Sequence, residues 1–109
     1  MSVCAHEAIA DANRQIWVSA VSGWEIATKY RLGKMGDIDD PKQRMPDLIE
    51  QHGFGSLPVT IEHALEGGLL PGAHRDPFDR LIAAQALVEK MTVVTCDPAL
   101  AALGCEVLW

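Results

Sequence analysis

Four short β-branched or aromatic runs, QIWVSA (15–20), GSLPVT (55–60), TVVT (92–95) and EVLW (106–109), are each separated from the next by at least one helix pattern. This alternation constrains the fold more than any other feature. Strands joined by tight turns pair antiparallel. Strands joined through helices return in the same direction, pair parallel and need cover on both faces. The expected fold is therefore α/β, with four strands in a parallel sheet flanked by helices. At 109 residues and 49 % hydrophobic composition, one domain over 1–109 can bury a core.

Boundaries follow from local signals. A short helix is expected over 3–11. Ser22 opens a helix to about Leu32, with Gly33 suited to its end. A polar loop covers 36–46, and a helix then runs to His52 and stops at Gly53. Pro58, within the strand expected over 55–60, marks it as an edge strand. Thr60 caps a helix over 61–67. Asp76 caps a helix from Pro77 to about Lys90, with proline in the first-turn position it favours. Leu81, Ile82, Ala84, Ala86 and Leu87 make that helix a buried one. Asp97-Pro98 repeats the signal for a short helix.

A net charge of −6 argues against holding nucleic acid by bulk attraction, but not against an acidic site that meets phosphate through a divalent cation. No apolar run reaches the roughly 20 residues of a membrane helix. The start has no basic flank or signal-like stretch. These points set a cytoplasmic expectation with no membrane partner. Cys4, Cys96 and Cys105 have no metal-ligand or disulfide spacing and read as small buried hydrophobes.

Glu25, Asp79 and Asp97 stand near strand exits or in the first turn of a helix, where open α/β sheets build their sites. Convergent carboxylates repel each other, and a hard divalent cation relieves that repulsion. The competing reading is capping. Ser22 and Glu25 have capping-box spacing, as do Asp76 and Asp79, and Asp97 suits an N-cap. Spacing leaves both readings open, with Asp76 assigned mainly to capping. Trp17, Trp24 and Trp109 read as core or interface residues rather than base-stacking platforms. His6, His52 and His63 read as helix-surface residues. The KYRLGK stretch (29–34) fits either an acidic or RNA partner or a solvated helix end.

The segments VSAVSGWEIATKYRLGKM, LPVT, LPGAHRDPFDRLIAAQAL and TVVTCDPALAALGCEVLW occur in this order over nearly the whole chain. Together they resemble the PIN-domain family, specifically the toxins of VapBC-type toxin–antitoxin pairs. The resemblance implies a PIN-like parallel sheet and an endoribonuclease dependent on Mg²⁺ or Mn²⁺. Carboxylates would hold the ion, activated water would attack an RNA phosphodiester, and a small antitoxin would block the groove. Carried over by position, Glu25, Asp79 and Asp97 are the metal-binding and catalytic acids. Arg75 and Arg80 are candidates for substrate phosphate or for salt bridges to neighbouring acids. His74 is a minor candidate for acid–base chemistry or phosphate contact.

One departure from the pattern matters. The family's usual first strand and helix, with the first metal-binding aspartate, have no counterpart in these residues. That strand is central in the sheet, so four strands are expected instead of five. Its neighbours would lose a ladder of hydrogen bonds. Three explanations stand: a start further upstream, a decayed remnant, or a sheet that rearranges or borrows a strand. The chain as given is expected to cleave weakly or not at all and to form a homodimer. The alternative function is a non-catalytic module that dimerises and binds an antitoxin.

Overall fold

The computed structural model describes residues 3–11, 13–36, 39–72 and 74–109. The polar loop expected at 36–46 and the GGLLPGAHR segment (67–75), also expected as a loop, therefore lie partly outside the described residues, at positions 37, 38 and 73. The order is α1 (Val3–Ala10), β1 (Trp17–Ser19), α2 (Ala20–Arg31), α3 (Pro41–His52), β2 (Gly55–Leu57), α4 (Ile61–Leu69), α5 (Pro77–Glu89), β3 (Val93–Val94), α6 (Pro98–Ala102) and β4 (Val107–Leu108). All four expected strands are present, and both ladders are parallel. Among the described residues they form two separate pairs, β1–β2 and β3–β4, rather than one four-stranded sheet. Contacts divide the chain into two compact units, one of residues 1–14 and 59–109, the other of 15–58.

The larger unit is built on α4 and α5. Gly67 lets the helices approach: a Cβ there would sit 3.2 Å from the Arg80 carbonyl oxygen and 3.5 Å from the Ala84 Cβ. His63 ties the same pair and is fully buried, which corrects its assignment to the surface. The Thr60 backbone N–H donates to His63 Nδ1 at 3.0 Å, and the His63 N–H donates to Thr60 Oγ1 at 3.2 Å. The ring thus takes the acid's place in a capping box. With Nδ1 accepting, the ring proton is on Nε2, which donates to Glu89 Oε1 at 2.9 Å. Burial is possible because both ring nitrogens are satisfied. The core joins Ala83 and Ala86 of α5 to Leu100, Leu103 and Cys105. The helix α5 is buried over Ala83–Ala86, but Leu87 is 42 % exposed. Of the cysteines only Cys105 is buried; Cys4 and Cys96 are exposed, against expectation.

In the smaller unit β1 runs beside β2 with Trp17 opposite Gly55. The Trp17 ring lies over Gly55, where a Cβ would fall inside the ring's van der Waals envelope. No tryptophan enters the core: Trp17, Trp24 and Trp109 are 45, 55 and 45 % exposed. Two helix starts differ from expectation. The helix α2 begins at Ala20, capped by Ser19 rather than Ser22, because Ser19 Oγ accepts the Val21 N–H at 3.1 Å. The helix α3 begins at Pro41 instead of after residue 46. Asp40 Oδ1 accepts the Lys42 N–H at 3.0 Å, and Pro46 is carried inside the helix. Among the described residues no helix is long and apolar enough to cross a membrane.

Candidate metal centre at the start of helix α5

Asp76 ends the loop before α5 with extended backbone angles, and its Oδ1 accepts the Phe78 N–H at 2.9 Å. Pro77 follows in the first turn, where its missing N–H costs nothing. One turn on, Asp79 leaves the same helix end. Its carboxylate does not close a capping box on Asp76. It accepts instead from His74, with Nε2 2.9 Å from Asp79 Oδ2. Ligand atoms of His74, Asp76 and Asp79 all lie within 4.8 Å of one another. The His74 and Asp79 side chains are 34 % and 18 % exposed, so the group is accessible without being fully solvated.

Arg80 builds the wall behind this group. Its Nε donates to the Gly67 carbonyl at 3.0 Å and its Nη1 to the His74 carbonyl at 2.9 Å. Its Nη2 donates to the Leu70 carbonyl. The planar fork thus reaches three carbonyls between the end of α4 and the start of α5. These bonds give Arg80 a structural task that neither sequence reading, phosphate contact or acid pairing, had assigned. Arg75 is exposed at the same loop.

The group found among the described residues includes neither Asp97 nor Glu25. Asp97 is exposed after β3 and caps α6, its Oδ1 accepting the Ala99 N–H at 2.9 Å while its own N–H donates to Thr95 Oγ1 at 3.0 Å. The structure does not bring Asp97 into the His74–Asp76–Asp79 group. Glu25 belongs to the other unit. It is half-buried in the second turn of α2, because that helix starts earlier than expected. The Ser22–Glu25 capping box is therefore not formed at the helix start. The pairing of His74 with Asp79 was missed at the level of sequence. The available signal was Asp-Pro at 76–77, which turns the chain so that the residue before Arg75 meets the first turn of α5.

Asp79 and Asp76 bring two carboxylates together beside the His74 imidazole, and paired carboxylate oxygens are a donor set suited to a hard divalent cation. Parallel β-strands joined through helices define an α/β protein. The sequence model of the PIN domain matches residues 2–104. The chain belongs to the PIN domain family. It is similar to Ribonuclease VapC16 of Mycobacterium tuberculosis (strain ATCC 25618 / H37Rv), 36 % identical over 56 residues, which are 51 % of this chain and 38 % of that protein. The matched stretch is thus well under half of the relative's length. A solved structure, "Structure of FitAB bound to IR36 DNA fragment", superposes with a TM-score of 0.64 at 20 % identity, covering 86 % of this chain and 72 % of that one. It supports the α/β fold read from the strand and helix order.

Proposed function

We propose that the chain is an RNA-cleaving toxin domain of a toxin–antitoxin pair, working with Mg²⁺ or Mn²⁺. The observation that carries this reading is the grouping of Asp79 with Asp76 and His74 within 4.8 Å at the start of α5. The family match over 2–104 and the likeness to a protein named a ribonuclease support it. The same family match supports reading the two units as parts of one domain. Asp79 is proposed as the central ligand, with Asp76 beside it, and Glu25 and Asp97 are carried over by their motif positions. A bound cation would activate water and offset charge at an attacked phosphodiester.

The chain's own residues would do the rest. The positive end of the α5 dipole lowers the cost of gathering two carboxylates. Arg80 holds the loop against the helix. Arg75, exposed on that loop, is the arginine proposed to meet substrate phosphate. A small cognate antitoxin and a second copy of the chain are the proposed protein partners, in the cytoplasm. Cleavage by these residues alone is proposed to be weak, because the strand with the family's first acid has no counterpart among them.

Single-stranded RNA incubated with the chain tests this. Slow cleavage that needs Mn²⁺ or Mg²⁺, stops with a chelator and falls at least about tenfold in Asp79→Asn is expected. Metal-independent cleavage, or cleavage equal in Asp79→Asn, would remove the reading. Mn²⁺ binding without any cleavage would favour the non-catalytic, antitoxin-binding alternative.

A further inference from the structure

We infer that His74 is a positioning residue: it orients the Asp79 carboxylate for a divalent cation and is not itself a ligand. The inference rests on the proposed metal reading of Asp79. His74 Nε2 lies 2.9 Å from Asp79 Oδ2, a hydrogen-bond length that leaves Asp79 Oδ1 for another partner. A lone aspartate on the first turn of a helix rotates among several rotamers. A donor fixed against one oxygen selects one of them, so less freedom is lost when an ion binds.

The donor is itself held. Arg80, next to Asp79 on α5, bonds the His74 carbonyl at 2.9 Å and the Gly67 carbonyl at 3.0 Å. Imidazole and carboxylate are thereby tied to adjacent residues of one helix. The donated N–H also reduces the repulsion between Asp79 and Asp76, whose ligand atoms lie within 4.8 Å. A hard cation such as Mg²⁺ prefers oxygen, while imidazole suits softer metals. That preference assigns the ring to hydrogen bonding and the carboxylates to the ion.

The test is Mn²⁺ titration by calorimetry, with electron spin-echo spectroscopy of the bound ion. His74→Ala is expected to weaken Mn²⁺ binding by about 10- to 100-fold at an unchanged thermal midpoint. His74→Gln, whose amide N–H replaces the Nε2 donor, is expected to restore most of the affinity. The wild-type ion is expected to show no directly bound imidazole nitrogen. A nitrogen coupling that vanishes in His74→Gln overturns the inference, and so does His74→Ala binding within about twofold of wild type. In the second case, binding lost in Asp79→Asn would leave the metal reading standing without it. If wild type binds no Mn²⁺, or Asp79→Asn binds as well as wild type, the metal reading falls and the inference falls with it. Should His74→Ala fail to fold, the wild-type spectrum and His74→Gln decide.

Discussion

Helices α5 and α6 begin with the same dipeptide, yet among the described residues only α5 gathers further ligand groups. At both starts an aspartate Oδ1 accepts the N–H two residues on at 2.9 Å, and proline takes the next position. At α5 a second carboxylate and an imidazole stand within 4.8 Å of the capping acid. At α6 the next polar partner is Thr95, which takes the Asp97 N–H. The Asp-Pro pair is thus a way to start a helix. What distinguishes α5 is Asp79 in its first turn and a loop folded back onto it by Arg80.

Removing Arg80 is the strongest way to break that difference. Arg80→Met keeps the stem but leaves the Gly67, Leu70 and His74 carbonyls without their charged donor. A loss of about 2–4 kcal/mol in urea unfolding is expected, since hydrogen bonds to charged groups are strong and an unpaired acceptor is costly. Arg80→Lys should recover less than half, because an ammonium cannot span three carbonyls. A loss under about 0.5 kcal/mol for Arg80→Met would mean that the loop carries its own weight.

The caps themselves give a smaller effect and sharpen the comparison. Asp76→Ala and Asp97→Ala should each cost about 1 kcal/mol, whereas Asp76→Asn and Asp97→Asn should cost almost nothing, because asparagine caps as well as aspartate. Denaturant midpoints check this. The asparagine variants then separate charge from capping. A loss of Mn²⁺ affinity in either one reports ligation rather than a frayed helix.

The elements were legible because their signals are local. Asp76-Pro77, Asp97-Pro98, Thr60 and Gly53 each act within one turn, and each starts or ends a helix as expected. Errors arose where two local signals compete. Ser19 and Ser22 both suit the start of α2, and the shorter strand leaves the cap to Ser19. Pro46 reads as a breaker, but Asp40-Pro41 had already begun the helix. His63 was unreadable for another reason. Its burial depends on Glu89, twenty-six residues away, and on the close approach at Gly67. The site followed the same division. Asp76 and Asp79 were visible as acids at a helix start, but the bonds from His74 and Arg80 depend on how a loop folds, which spacing does not encode. The family likeness singled out Asp79 and Asp97 alike, and among the described residues the structure gathers further ligand groups only around the first.

The cysteines give the finest test of the comparison, because they report on packing beside each helix. Cys96 precedes the α6 cap and is exposed, while Cys105 is buried and donates its thiol to the Ala83 carbonyl of α5 at 3.6 Å. Burial pushes the Cys105 thiol above its ordinary pKa, since the charged thiolate loses hydration there. At pH 8 it therefore holds less reactive thiolate than an exposed cysteine does. Iodoacetamide should alkylate Cys4 and Cys96 first and Cys105 at least about tenfold more slowly, with equal rates returning in urea. Mass spectrometry of the native chain reads this directly. If Cys105 reacts as fast as Cys96, the segment after α6 is opening away from α5. In Arg80→Met, continued protection of Cys105 would show that the loop at the start of α5 can loosen while the core behind it stays closed.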